Sequence, residues 1–179
     1  MVTASNGKLD EGIQLIQRAT QLEGKVPRHV ANFAKKYLSP KEFVNLVMPA
    51  DPYMIIETTF RHFGDEDLEE WRVELGARAS ELLSVKVDNE PSARDLYTLG
   101  QANFFQGEPH VACNFFRQAI EKESANAFWR LSYAKSLEST GDQNAALREA
   151  RLAHRLNPAS RNTMLLVKKL EAQQKRAGR

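Results

Sequence analysis

Shifted by 34 residues, the C-terminal half of this chain falls on itself. Gly107 lands on Gly141, Glu108 on Asp142, Ala112 on Ala146, Ala119 on Ala153 and Ala93 on Ala127. A fixed period of this length admits few folds. It is too short for a domain and suits a supersecondary unit that buries its apolar face only by stacking on the next copy. The recurring residues have physical reasons. A glycine takes the backbone angles of a tight interhelix turn. An acid beside it stands at the start of the second helix, where the helix dipole favours negative charge. Alanines let two helix axes approach closely.

The rest of the pattern is helical. Apolar residues recur every three or four positions, and strand-like alternation is scarce. Start signals are frequent. Ser39-Pro40-Lys41-Glu42 and Ser92-Ala93-Arg94-Asp95 read as capping boxes, Asp51-Pro52 as a cap followed by proline, and Ser160 as a further cap. Stops fall at Gly24, Gly64, Gly107 and Gly141. These signals predict helices near 8–23, 27–38, 40–47, 51–63, 66–85, 92–106, 109–122, 126–140, 143–156 and 160–176. Links of a few residues between them make sequence neighbours antiparallel.

Over 93–160 the residues resemble the tetratricopeptide repeat (TPR) family. The unit 93–126 supplies Leu96, Leu99-Gly100, Phe104, Gly107, Ala112, Phe116 and Ala119, and departs with Ser124 where proline is expected. The unit 127–160 supplies Tyr133-Ala134, Leu137, Gly141-Asp142, Ala146, Ala153, Leu156 and Pro158. It departs with Ala150 for a bulky residue and Arg130 for a large apolar one, a gap that Phe128 or Trp129 fills. Residues 161–176 continue in phase and stop, so 161–179 reads as a capping helix with a basic tail. The resemblance implies an all-α fold: a right-handed superhelical stack of antiparallel helix pairs, closed by the C-terminal helix.

Residues 1–92 fit the pattern less well and read as degenerate repeats. Gly7, Gly12, Ile16, Ala19 and Leu22 have the spacing of a second repeat helix, a half repeat at 7–24. Six residues precede Gly7, so the expectation is a segment cut from a longer repeat protein. The stretches 27–49 and 50–92 form two irregular units, with a non-repeat helical insertion as the alternative.

Chemistry finds little footing. His29, His62, His110 and His154 are scattered and form no close ligand pair. Cys113 is the single cysteine, which excludes a disulfide framework, and it reads as a small buried thiol. The acidic run Asp65-Glu66-Asp67 with Glu69 and Glu70 lacks the ligand alternation of a calcium loop and opens a helix, where acids are favoured. No phosphate-loop, dinucleotide or nucleophile-elbow motif is present. The expectation is no enzyme, no cofactor and no metal. Apolar runs of a few residues fall far short of the roughly 20 that cross a bilayer, which favours a soluble, cytoplasmic chain or a soluble domain of a larger membrane-associated protein.

What remains is surface. The resemblance implies a concave face that holds a peptide or partner helix. Its lining maps to Arg94, Tyr97, Gln101, Phe104 and Phe105, then Phe128, Leu131 and Lys135, then Leu165 and Lys169. The family's chaperone-tail binders clamp a terminal carboxylate with Lys and Asn, but Tyr97, Gln101 and Ser132 stand at those places here, which argues against that subtype. Charge is uneven: residues 51–92 sum to −7 and residues 145–179 to +7. The ends therefore offer solvated faces, steering of a charged partner or head-to-tail self-association. The function read from the sequence is a protein–protein interaction scaffold. One alternative is a regulatory or assembly domain of a larger enzyme or membrane protein, such as bacterial cell-envelope machinery. Another is a nucleic-acid-binding repeat using the basic end, disfavoured because no aromatics interleave its cations.

Overall fold

The computed structural model describes residues 3–64, 66–85 and 90–177, with the side chains of residues 3–10, Gln21, Glu66 and Ala177 outside the described set. Asp65 of the acidic run, residues 86–89 ahead of the first clear repeat, and Gly178 and Arg179 of the basic tail lie outside the described residues. Ten α-helices and one 3₁₀ turn make up the described secondary structure, with no strand among the described residues. The chain forms two compact units, Met1–Ser84 and Val85–Arg179.

The first unit holds α1 (Thr3–Glu23), α2 (Arg28–Tyr37), α3 (Pro40–Leu46), α4 (Pro52–His62) and α5 (Glu69–Ser84). The expected capping signals are made. Ser39 accepts from the Glu42 amide while Glu42 accepts from the Ser39 amide, and the Asp51 carboxylate accepts from the amides of Tyr53 and Met54. The helix expected from residue 66 begins as a 3₁₀ turn, Glu66–Leu68, and becomes α-helical at Glu69. Aromatic rings hold this unit together. Phe63 stacks on Trp71 with centroids 4.7 Å apart, and Phe43 sits 5.5 Å from Phe63 and 5.6 Å from Trp71. The Lys35 ammonium lies over the Phe63 ring, where the ring quadrupole attracts a cation. In α1, Ile16 and Ala19 are half-buried, while Leu15 and Leu22 are exposed.

The second unit holds α6 (Ala93–Phe105), α7 (Pro109–Lys122), α8 (Ala127–Ser139), α9 (Gln143–Leu156) and α10 (Arg161–Ala177). Helices α6 and α7 form one hairpin, α8 and α9 the next, and α10 lies on α9. The 34-residue period is visible bond by bond. At the first turn, Gln106 N–H donates to Ala102 O, Gly107 to Phe104 O and Glu108 to Asn103 O. At the second, Thr140 donates to Ser136 O, Gly141 to Glu138 O and Asp142 to Leu137 O, the same three bonds one period on. Both glycines have positive φ, +79° and +88°, in the left-handed region that a Cβ disfavours by about 1–2 kcal/mol. Ala112, Ala119, Ala146 and Ala153 are all fully buried, as close helix approach requires.

The departures from the repeat pattern compensate one another. A Cβ on Gly100 would lie 2.6 Å from the Phe116 ring, so the missing side chain makes room for the large one. One period on, the corresponding pair is Ala134 and Ala150, both fully buried in one cluster. The bulk lost at residue 150 is thus matched by the methyl gained at residue 134. Arg130, at the missing apolar position, pairs with Glu149 at 2.7 Å and donates through Nε to Ser124 O. Trp129 rather than Phe128 fills the core beside it: Trp129 is buried and stacks on Tyr97, whereas Phe128 is 54% exposed.

Replacing Gly100 with Ala overpacks this contact, with an expected loss of about 1–3 kcal/mol. Phe116→Ala loses about 3–5 kcal/mol. The double variant is expected to match Phe116→Ala alone, because the clash has gone. Denaturant unfolding of all three checks this, and strict additivity would contradict the contact.

Candidate functional site

The candidate site builds from helix ends that the two turns place. Helices α6 and α8 lead the two hairpins, α10 follows them in the same place one period on, and the three share one face. There they line an open hollow of about 410 Å³. Phe104 comes from the last turn of α6, Lys135, Glu138 and Ser139 from the last turns of α8, and Asn162, Leu165, Leu166 and Lys169 from α10. Phe104, Leu165 and Leu166 are the apolar groups, with Leu166 buried, Phe104 half-buried and Leu165 49% exposed. Around them stand polar groups. Lys169 Nζ pairs with Glu138 Oε1 at 2.7 Å, tying α10 to α8. The Ser139 hydroxyl donates to Lys135 O, one turn back on its own helix. The exposed Lys135 ammonium makes no ion pair among the described residues.

Four of the residues assigned to the lining from sequence therefore meet: Phe104, Lys135, Leu165 and Lys169. The others are placed differently. Tyr97, Gln101, Phe105 and Leu131 are core residues, which corrects their assignment as an exposed lining. For the three on α6 the cause is that the helix is covered on nearly every side, Leu96 to Ala102 without a break, and Leu131 of α8 packs in the core cluster with Ala134 and Ala146. The polar atoms of Tyr97 and Gln101 are turned on each other. Gln101 Nε2 donates to Tyr97 Oη at 2.8 Å, and Tyr97 Oη lies 3.3 Å from Ser132 Oγ. Such a closed network satisfies buried polar groups internally. Arg94 and Phe128 are exposed near the other end of α6 and α8, with Phe128 beside Tyr97 at 5.9 Å between centroids. Neither lines the hollow. Glu138, Ser139, Asn162 and Leu166 belong to it and were not singled out by sequence. A one-turn spacing leads from the assigned Lys135 to Ser139 and from the assigned Leu165 back to Asn162, the signal that could have found those two.

Burial shifts three ionisable groups of the second unit, none of which lines the hollow. Burial pushes the Cys113 thiol up, away from the reactive thiolate. Its Sγ donates to Ser136 Oγ at 3.2 Å, and Ser136 donates to Pro109 O. Burial likewise pushes the Tyr97 phenol up, against the opposing hydrogen bonds from Ser132 and Gln101. Tyr133 moves in the same direction, again chiefly through burial. Among the described residues, no group of three or more His, Cys, Asp or Glu could hold a metal ion. No described helix is long and apolar enough to cross a membrane.

The fold defined by these elements is an all-α solenoid of antiparallel helix pairs, of the tetratricopeptide kind. The crystal structure of MamA is similar to this chain, with a TM-score of 0.50 and 17% identity, over 90% of this chain and 96% of that one. No family profile matches the chain. No curated protein matches it by sequence.

An acid whose pKa rises on folding stabilises the fold below its ordinary pKa, and that contribution is lost as pH climbs. Stability of the folded chain is therefore expected to decline above pH ~8.5, the usual thiol value, through Cys113, and more steeply above pH ~10, the usual phenol value, through Tyr97 and Tyr133. Tyr97→Phe is expected to flatten the steeper part of that decline, leaving the shares due to Tyr133 and Cys113. Denaturant unfolding across the alkaline range measures it, and an unchanged slope would contradict the buried phenol.

Proposed function

We propose that this chain is a protein-interaction module, and that the hollow lined by α6, α8 and α10 holds a peptide or a partner helix. The observation that carries this reading is that Phe104, Leu165 and Leu166, from two helices, line one open hollow. A concave apolar surface rimmed by a few polar groups is the usual form of a binding site, and its volume lies within the roughly 300–1,000 Å³ of ligand pockets. The helix-pair fold supports the same reading by providing a face assembled from successive repeats. Catalysis gains no support, since the one thiol is held away from its reactive form and the histidines do not converge on the hollow.

Two narrower roles are compatible with such a module. One is an assembly or regulatory domain within a larger enzyme or membrane complex, which rests on fold analogy alone. The other is nucleic-acid binding through the basic end. It is the weaker, because Arg151 and Lys169 are already paired with Glu171 and Glu138, and no aromatic ring on α10 offers a base a stacking surface.

Leu165→Ser and Phe104→Ala are each expected to weaken partner capture by about tenfold, the effect typical of an interface anchor. Helicity and melting temperature serve as controls for Phe104→Ala, since that ring is half-buried. Leu22→Ser, at an exposed leucine of α1, is expected to leave capture unchanged. Affinity capture quantified by mass spectrometry measures all three. Equal capture by the Leu165 and Phe104 variants and the parent chain would discard the hollow.

A further inference from the structure

The charges around the hollow restrict what it can hold. Glu138 and Lys169 neutralise each other across α8 and α10 at 2.7 Å. Ser139 spends its hydroxyl proton on its own helix. The polar groups left with no hydrogen-bond or ion-pair partner among the described residues are the Lys135 ammonium and the Asn162 amide. The rim therefore presents one net positive charge over an apolar floor. Its setting adds to this: α10 carries Arg161, Lys168, Lys169, Lys175 and Arg176 against a single acid, Glu171, which is bound to Arg151 at 2.7 Å.

Resting on the reading of the hollow as a peptide site, we infer that its occupant is a segment of a partner protein in which a bulky apolar side chain stands next to a carboxylate. The apolar side chain fills the space between Phe104, Leu165 and Leu166. The carboxylate meets Lys135, and the Asn162 amide takes a main-chain group or the second carboxylate oxygen. A neutral segment would bury part of Lys135 with no counter-charge, and a basic one would face it directly. Both are disfavoured, since dehydrating an unpaired charge is costly and like charges repel at an interface. The positive field of α10 also speeds encounter with acidic chains, an effect that salt suppresses.

A displayed library of random short peptides, selected on the full chain and counter-selected on the Leu165→Ser variant, tests this. The expected enrichment is Asp or Glu beside Leu, Phe or Trp. Replacing the acid of a selected peptide with its amide is expected to weaken binding by about three- to fivefold, the range of a partly exposed ion pair. Selection on Lys135→Glu, a surface change that spares the apolar floor, is expected to move the enrichment from acids to Lys or Arg. Leu165-dependent peptides with no acidic preference, or a preference that Lys135→Glu leaves in place, would overturn the charge inference while keeping the hollow as a site. The absence of any Leu165-dependent peptide would overturn both. Sedimentation of the chain alone gives the remaining outcome. An oligomer dissolved by Leu165→Ser would make a second copy the occupant and overturn the inferred partner.

Discussion

Close approach of paired helices is the constraint on which the second unit depends. Helix axes come together only where side chains are small, and here the small residues recur with the period of the hairpin. Ala112 and Ala119 serve α7, and Ala146 and Ala153 serve α9, all without solvent exposure. The contact is one of matched volume rather than of fixed residue type. Glycine against phenylalanine in one hairpin corresponds to alanine against alanine in the next, with Gly100 and Phe116 answered by Ala134 and Ala150. Cores tolerate such exchanges when total volume is kept. The two turns then fix the direction of each hairpin through the same three hydrogen bonds and a glycine of positive φ.

The hollow is a consequence of this geometry. Because α10 follows α6 and α8 in phase with the hairpin period, the ends of α6 and α8 and the body of α10 come to one face. Phe104 lies near one core cluster, and Leu166 belongs to another. Leu165, its sequence neighbour, is left facing solvent. The ion pair between Glu138 and Lys169 joins α8 to α10 at the rim. A surface pair of this sort contributes little to stability. Its consequence here is electrostatic, since it removes one cation and one anion and leaves Lys135 to set the sign of the rim.

Much of this was legible from residue order. The helices around Gly107 and Gly141 follow from caps, stops and apolar period, all of them local properties. The capping boxes at Ser39 and Ser92 formed as their spacing implied. Phe104 and Leu165 could be assigned to a shared face because the period relates α6 to α10. Burial of Tyr97 and Gln101 was not legible, because it rests on Ser132, 35 residues from Tyr97, and on cover around the whole of α6. Glu138 was missed for a similar reason: only folding brings Lys169 to it. The 3₁₀ turn before α5 escaped too, since acidic residues mark a helix start without specifying how tightly its first turn is wound.

Nested hairpins create the hollow as well as the fold. Methyl NMR of the full chain, recorded with and without a bound partner, decides whether the proposed partner enters that hollow. The largest shifts are expected on Leu165 and Leu166, with little change at Leu15, Leu22 and Val85 of the exposed apolar set. Perturbations concentrated on Leu15, Leu22 and Val85, with Leu165 and Leu166 unmoved, would contradict it.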